Sequence, residues 1–281
     1  MKVGLVLEGG AIRGIYSAGV IDFLLDNNIK VDNIYGVSMG ALVGVNYKSG
    51  QNKRTIRYNI KYLKDKRYIS LYSLFKTGNI VNRNFAYYEI PYKLDKFDID
   101  TYNKDKTKFT LVMTDVLSGK AIYKDISYIK SKKDMKYFIA TSSMPIVSKI
   151  INIKDKLYLD GGLADSIPIQ KALEECDKVI VVLTRVKGYK KKKSNMFLYN
   201  IVYRKYKNLL NTIKNRYINY NNTIDYIDKL ESNKKIIVVR PSIDYKLKRL
   251  EKNLDKVNKQ YELGYNDMKN KYDELLNYIK K

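Results

Sequence analysis

The stretch NIYGVSMGALVG, residues 33–44, combines a short apolar run, a serine between two glycines, and a second run of small and apolar residues. The first run predicts a buried strand over 33–37, and the second predicts a helix over 39–50. A serine at such a junction is either an exposed nucleophile or part of a tight strand-to-helix turn. The chain contains no histidine, so the usual base for an activated serine is absent.

The same alternation of strand and helix continues outside this stretch. KVGLVLEGG (2–10) predicts a buried strand that ends in glycines, and DKVIVVLTR (177–185) predicts another. Further strands are expected within 108–124 and 148–162. Strands that alternate with helices in this way predict an α/β fold, with a mainly parallel central sheet inside a three-layer α/β/α core.

The composition of the chain changes after residue 186. VKGYKKKKSN (186–195) is a basic connection that contains glycine, and the segments beyond it are mainly of helical pattern, with one strand near 234–241. We therefore expect a first domain over 1–186 and a mostly helical C-terminal extension over 187–281.

Lys and Arg outnumber Asp and Glu by 54 to 29, which gives a formal net charge of +25. This charge fits an anionic membrane surface or nucleic acid, but it also fits a general bias, because Lys, Asn, Ile and Tyr are all abundant. The basic residues are diffuse and accompany no nucleic-acid-binding motif, so we expect no nucleic-acid partner. Peripheral contact with an anionic membrane stays open, and the sequence leaves the oligomeric state unknown.

Cys176 is the single cysteine, so no internal disulfide is expected. One cysteine and no histidine also leave no ligand cluster for zinc, and we expect neither a metal nor a cofactor. The N-terminus lacks the apolar core of a signal peptide, and no apolar run approaches about 18 residues. These features predict a cytoplasmic protein, with contact at the inner face of the membrane as an open alternative.

Ser38 lies in the pattern G-x-S-x-G between the predicted strand and helix. The small residues Gly36 and Gly40 let neighbouring backbone approach, while the serine hydroxyl projects above the end of the sheet. The Met39 N–H and the positive end of the following helix would face negative charge that develops on a substrate oxygen. The pattern fits a nucleophile as well as a simple turn.

LEGGAIRG (7–14) follows the first strand. Its glycines do not fit G-x-G-x-x-G in register and no Walker lysine follows, which argues against a phosphate-binding loop. Consecutive N–H groups at Gly9, Gly10 and Ala11 could instead form an oxyanion hole beside the serine, with a strain cost at Ala11 if that residue needs a positive φ. Arg13 either braces the loop through an ion pair or meets an anionic head group.

An activated serine needs a proton acceptor within hydrogen-bond reach, and without histidine the candidates are Asp, Glu, Lys and Tyr. Asp160, in YLDGG, ends a predicted strand and precedes Gly161 and Gly162. Because the carboxyl ends of parallel strands lie at one edge of a sheet, we expect Asp160 to meet Ser38. The alternative is a structural Asp-Gly-Gly turn. A carboxylate base would have to be close and partly desolvated, which raises its pKa.

Other polar residues receive structural interpretations. Asp115 enters a predicted hairpin, and ATSSMP (140–145) is expected to shape a helix exit near the site. The Tyr and Lys residues between 56 and 72 are expected mainly on a solvated helix face, with lining of the substrate entrance as the alternative.

The motifs at 9–14, 36–40 and 160–162, in this order and spacing, resemble those of the patatin-like phospholipase family. The first is similar to the family's oxyanion loop with its basic residue, the second to its nucleophile elbow, and the third to its base-bearing motif. The resemblance covers about 1–186, and Ala11 stands where many members have a third glycine. The glycines that belong to the three motifs are Gly9, Gly10, Gly14, Gly36, Gly40, Gly161 and Gly162.

The resemblance implies a serine acyl hydrolase of the lipase or phospholipase type, with lipid or phospholipid esters as substrates and no calcium requirement. A Ser38–Asp160 dyad would form an acyl-enzyme, with the oxyanion held near Gly10, Ala11 and Met39. The tail from about 187 resembles the C-terminal extension of a bacterial branch of the family. Two alternatives stay open: a non-catalytic lipid-binding or scaffold protein on the same fold, and an esterase or thioesterase of soluble substrates.

Overall fold

The structure, a computed structural model, describes residues 1–280. The strands within this part of the chain are β1 Val3–Leu7, β2 Asn33–Val37, β3 Lys108–Asp115, β4 Ala121–Asp125, β5 Ile151–Ile153, β6 Lys156–Asp160, β7 Lys178–Val182 and β8 Ile237–Val239. The α-helices are α1 Ile15–Asp26, α2 Met39–Lys48, α3 Arg54–Tyr62, α4 Leu71–Thr77, α5 Ile99–Lys104, α6 Met135–Thr141, α7 Ile169–Glu175, α8 Phe197–Val202, α9 Lys207–Ser232, α10 Leu254–Asn270 and α11 Tyr272–Lys280. A π-helix spans Phe85–Leu94.

These strands form one sheet in the order β5-β6-β3-β2-β1-β7-β8, and β4 pairs with β3. The pairs β1–β2, β1–β7, β2–β3 and β7–β8 are parallel. The pairs β3–β4, β3–β6 and β5–β6 are antiparallel. The prediction of a mainly parallel central sheet is therefore confirmed.

Side chains of the central strands alternate between two apolar layers. Leu5 and Leu7 of β1 belong to one cluster with residues of α1, α2 and α10, whereas Val6 belongs to a second cluster with Tyr220 and Ile224 of α9. Because both faces of the sheet are covered, its central strands read as uninterrupted apolar runs. The predicted three-layer α/β/α core is confirmed.

Residues beyond 186 contribute to the sheet and to both helical layers. β8 extends the sheet beside β7, α9 packs on one face, and α10 packs against α1 on the other. The strand expected near 234–241 corresponds to β8. The division of the chain at residue 186 stays a prediction. None of the helices within residues 1–280 is long and apolar enough to cross a membrane.

The unequal lengths of β2 and β3 create the place where β6 pairs. Val37, the last residue of β2, pairs with Val112, and β3 continues beyond it. Met113 and Thr114 pair both with β4 and with β6, so these two strands lie on opposite edges of β3. Because β4 also lies opposite β2, β6 follows β2 along one edge of β3 and ends there at Asp160.

The expectation that Asp160 ends a parallel strand is wrong. β6 runs antiparallel to β3, and hence also in the direction opposite to β2. The C-terminal ends of β2 and β6 therefore point at each other along the same edge. Asp160 therefore lies near the C-terminal end of β2, as predicted, but on a strand that runs opposite to β2.

α1 and α10 cross in close contact at two glycines. A Cβ atom on Gly19 would lie 2.0 Å from the carbonyl oxygen of Tyr261, and one on Gly264 would lie 2.0 Å from the carbonyl oxygen of Tyr16. The two helices therefore approach backbone to backbone, and a methyl group at either position would separate them.

We expect Gly264→Ala to lower the free energy of unfolding by about 1–3 kcal/mol, because separation of α1 from α10 outweighs the better helix propensity of alanine. Urea denaturation followed by circular dichroism measures the change. Asn266→Ala, at an exposed position of the same helix, is the control and should leave the stability equal or slightly higher. A Gly264→Ala protein as stable as this control would contradict the close approach.

Candidate active site

Ser38 lies between the end of β2 and the start of α2. Its backbone has φ +53° and ψ −122°, which L-residues rarely adopt and which costs about 1–3 kcal/mol. The flanking glycines are required by close approaches. A Cβ atom on Gly36 would lie 2.6 Å from Ala41 Cα, and one on Gly40 would lie 2.3 Å from the carbonyl oxygen of Leu7.

A hydrogen bond to the neighbouring helix α6 holds this strained turn. The N–H of Ser38 donates to Thr141 Oγ1 at 3.0 Å, and the Thr141 hydroxyl donates to the carbonyl oxygen of Val112 at 2.5 Å. Thr141 therefore connects the turn to β3, the strand that also positions β6. The segment ATSSMP, which the sequence placed near the site, contains Thr141, but nothing in its pattern indicated that this threonine would accept a hydrogen bond from the serine turn.

The carboxylate of Asp160 lies against the serine hydroxyl. Ser38 Oγ donates to Asp160 Oδ2 at 2.8 Å, and the N–H of Gly162 donates to Asp160 Oδ1 at 2.8 Å. Gly161 has no room for a side chain, because a Cβ atom there would lie 2.1 Å from the carbonyl oxygen of Val112. Two buried side chains that are 122 positions apart are thus in direct contact.

Burial raises the pKa of the Asp160 carboxyl above its ordinary value. The hydrogen bond from Ser38 and the positive charge of Arg216 oppose this rise without cancelling it. Arg216 is near because its Nε donates to the carbonyl oxygen of Gly162. A desolvated carboxylate with a raised pKa is a stronger base toward a hydroxyl than an exposed aspartate is.

The glycine-rich loop packs against β7 and α2 without space for side chains. A Cβ atom on Gly10 would lie 2.8 Å from Thr184 Oγ1, and one on Gly14 would lie 2.6 Å from Met39 Cγ. Ala11 has φ +50°, the left-handed conformation that favours glycine. The sequence predicted a strain cost at Ala11 if this residue has a positive φ. Since its φ is positive, the backbone of Ala11 is strained.

Several backbone N–H groups of the loop and the turn have no hydrogen-bond acceptor within residues 1–280, namely those of Gly10, Ala11 and Met39. The N–H of Gly9 differs, because it donates to the carbonyl oxygen of Ser166 at 3.4 Å. Gly9 instead allows close packing, since a Cβ atom there would lie 3.2 Å from Ser38 Cβ. The expectation that Gly9 supplies an oxyanion donor therefore does not fit its hydrogen bonding.

Arg13 is half-buried and lines a cavity beside Ser38. Within the described part of the chain it forms no ion pair, and its Nε has no hydrogen-bond partner. Burial lowers the pKa of Arg13 to about 10, and the positive charges of Arg185 and Arg249 add to this effect. The loop-bracing ion pair is thus not the role that the geometry supports.

Ser38 lies where two cavities of different character meet. One is an apolar pocket of about 120 Å³, lined among others by Leu42, Ile90 and Phe138. The other is a cavity of about 700 Å³ with several basic side chains in its wall. Met144, from the segment expected to lie near the site, lines both. A molecule bound at the serine would meet an apolar surface on one side and a cationic surface on the other.

The apolar pocket is also lined by residues that the sequence predicted to be exposed to solvent. Tyr58 and Tyr68 are buried and line the pocket, so the expectation of a solvated face over 56–72 is wrong for both. They belong to one cluster with Phe85 and Ile90 of the π-helix. This π-helix lies further along the chain, at Phe85–Leu94, and the helical pattern of 56–72 contains no sign that it packs there.

The fold and this geometry define a class of α/β proteins in which a serine at a strained strand-to-helix turn contacts a buried aspartate. A family model described as Patatin-like phospholipase matches residues 5–173, which is more than half of the chain. The chain belongs to the patatin-like phospholipase family. A second model, described as a domain of unknown function (DUF6363), matches residues 206–280.

Known proteins with similar sequences include a lysophospholipase and a probable lipid hydrolase. The lysophospholipase NTE1 of Kluyveromyces lactis is 26% identical over 188 residues, which cover 63% of this chain and 12% of that protein. The probable lipid hydrolase 463L of Invertebrate iridescent virus 6 is 24% identical over 212 residues, which cover 66% of this chain and 71% of that protein. The chain thus spans only about an eighth of the length of the fungal lysophospholipase.

The fold also resembles that of VipD from Legionella pneumophila. The two structures align with a TM-score of 0.50 and 11% sequence identity, over 97% of this chain and 67% of the VipD chain. At this identity the similarity concerns the fold alone.

Strain at the serine turn can be measured with two variants that both lack the hydroxyl. We expect Ser38→Gly to be about 1 kcal/mol more stable than Ser38→Ala, because glycine adopts the observed φ without a Cβ clash. Chemical denaturation of the two proteins gives the difference. Equal stabilities would show that the turn is relaxed.

Proposed function

We propose that the protein is a serine acyl hydrolase that cleaves lipid acyl esters through Ser38 and Asp160. The observation that carries the proposal is the 2.8 Å hydrogen bond from Ser38 Oγ to a buried carboxylate at a strained turn. Membership of the patatin-like phospholipase family supports it. Similarity to a lysophospholipase and a probable lipid hydrolase favours a lipid ester as the substrate.

The reaction begins when Ser38 Oγ attacks the carbonyl carbon of the ester and Asp160 takes the hydroxyl proton. The carbonyl oxygen becomes an oxyanion, which accepts hydrogen bonds from the free N–H groups of Gly10, Ala11 and Met39. The oxyanion then collapses, the bond to the alcohol breaks, and Asp160 returns the proton to the leaving alcohol. An acyl-enzyme with an ester bond to Ser38 remains.

Water completes the cycle by the same steps in reverse order. Asp160 accepts a proton from the water molecule as its oxygen attacks the acyl carbon. The second oxyanion collapses, the bond from the acyl carbon to Ser38 Oγ breaks, and the serine regains a proton from Asp160. The products are a fatty acid and the free enzyme, and no histidine takes part.

The two cavities give the ester a defined orientation. The apolar pocket receives the acyl chain, because burial of each methylene contributes about 0.8 kcal/mol. The alcohol part then lies toward the larger, basic cavity. The apolar lining of this pocket favours substrates with an apolar acyl group over esters whose acid part is polar.

A fluorophosphonate probe tests the proposal directly. It should form an adduct at Ser38, identified by peptide mass spectrometry, and the adduct should be lost in Asp160→Asn protein. Ser118→Ala, at an exposed serine, is the control and should label like the wild type. Absence of an adduct from folded wild-type protein would contradict the proposal and favour a non-catalytic lipid-binding or scaffold role.

We expect Asp160→Asn to lower kcat/KM for a long-chain ester by at least about 1,000-fold, because the base is lost while the shape is kept. The melting temperature should stay equal or rise, since a neutral amide avoids the burial of a charge. Rate and thermal melting are measured on the same preparation. More than a tenth of the wild-type rate would exclude Asp160 as the base.

The pH profile should follow the raised pKa of Asp160. The ionised carboxylate is the active form, so kcat/KM increases as the pH rises through this pKa and is lost as the pH falls below it. The acid limb should therefore lie above that of an ordinary aspartate, whose pKa is about 3.9. A constant rate down to about pH 4 in folded protein would contradict the raised pKa.

A further inference from the structure

The larger cavity beside Ser38 has five basic side chains in its wall, contributed by Arg13, Arg185, Lys191, Arg216 and Arg249. Two acidic side chains, Glu8 and Asp160, lie in the same wall. The wall therefore has an excess of three formal positive charges. Lys191, Arg216 and Arg249 come from the part of the chain beyond residue 186, so the excess depends on that part.

Neither carboxylate neutralises these cations by direct pairing. Glu8 accepts hydrogen bonds from the Tyr220 hydroxyl at 2.8 Å and from Thr184, whose N–H donates at 2.6 Å and whose hydroxyl donates at 3.0 Å. Asp160 accepts from Ser38 and Gly162. Within residues 1–280, none of the five cationic side chains forms an ion pair with any carboxylate.

Three of these five side chains, Arg13, Lys191 and Arg216, are largely removed from water, which disfavours their charged forms. Burial, together with the positive charge of Arg216, lowers the pKa of Lys191 to about 6. The buried Nε of Arg13 has no acceptor in the described chain. An anion with several oxygen atoms would give these donors acceptors and offset their mutual repulsion, and guanidinium groups suit phosphate oxygens in particular.

Four aromatic residues line this cavity, and two of their rings are already in contact with cations of the protein. The ring of Tyr189 is covered by the Arg185 guanidinium at 4.3 Å, and the ring of Tyr220 by Lys191 Nζ at 3.9 Å. One face of each of these two rings is therefore engaged with a cation of the protein. A choline head group at Tyr189 or Tyr220 would meet positive charge, which leaves Phe197 and Tyr199 as the other aromatic residues of the wall.

We propose that this cavity binds the phosphate group of an acyl ester whose head group is anionic, with the acyl chain in the apolar pocket on the other side of Ser38. This inference rests on the proposed ester hydrolysis and names the substrate class. The preferred substrate bears a phosphate on its alcohol part without a balancing ammonium. The C-terminal part of the chain thus selects the head group, while the part with the serine performs the chemistry.

Three substrates with the same acyl chain test this selection: an acylglycerol phosphate, the corresponding phosphocholine ester and the uncharged monoacylglycerol. Wild-type kcat/KM should be at least about tenfold higher for the acylglycerol phosphate than for either of the others. Lys191→Met and Arg249→Gln should each reduce this ratio about tenfold, mainly through KM. Equal rates on the three substrates in the wild type would overturn the proposal.

Matched controls separate the cavity from the general positive charge of the protein. Lys192→Met and Lys248→Gln remove the same charge at exposed neighbouring positions that do not line the cavity. Both should keep the wild-type ratio. A ratio that falls as much in these controls as in the cavity variants would show that general electrostatic attraction, and not this cavity, produces the preference.

Binding measured without turnover distinguishes failure of this inference from failure of the proposed hydrolysis. Calorimetry with Ser38→Ala protein should show tighter binding of acylglycerol phosphate than of inorganic phosphate, and Lys191→Met in that background should weaken it about tenfold. Equal affinities for the two ligands would indicate a site for free phosphate and overturn the head-group assignment. If the probe labels Ser38 but the enzyme hydrolyses all three esters at equal rates, the proposed ester hydrolysis is retained and the proposed head-group selection is rejected.

Discussion

The site depends on the unequal lengths of two neighbouring strands. Because β2 stops at Val37 while β3 continues, the edge of β3 beyond that point is open to β6, which pairs there in the opposite direction. The end of β6 thereby meets the sharp turn that follows β2. This arrangement lowers stability in two ways, because it strains the backbone of Ser38 and buries the carboxylate of Asp160. The surrounding sheet and helices hold both residues in place.

In the proposed mechanism, the carboxylate of Asp160 combines two tasks that many hydrolases divide between histidine and aspartate. Its Oδ1 accepts from the N–H of Gly162, which fixes its orientation, and its Oδ2 accepts from Ser38. Burial raises the pKa of Asp160, while Arg216 limits the rise and so keeps ionisation within reach. Arg216 lies on α9, so the C-terminal part of the chain acts on the reactive pair as well as on the outer cavity.

The sequence was most informative where a structural demand is local. Gly36 is required by its approach to Ala41 within the turn, and this kind of demand leaves a readable pattern over a few residues, whereas Gly40 is required by its approach to Leu7 on β1. The contact between Ser38 and Asp160 was predicted correctly, but from parallel strand ends, whereas β6 is antiparallel. Strand direction depends on the partner's register, which an apolar run does not encode. The burial of Tyr58 was missed because the pattern of 56–72 does not show that the π-helix at Phe85–Leu94 packs over it.

By itself, the sequence determined the α/β alternation, the strand-to-helix turn at 33–44, and a chemistry in which no histidine can act. These properties follow from residue types and their spacing along the chain. Only the tertiary structure decided which side chains surround the serine: Thr141 beneath the turn, and Arg216 and Arg249 in the wall of the larger cavity. Hydrogen bonds and Coulomb interactions depend on distance in space, and these residues are more than 100 positions from Ser38 in the sequence.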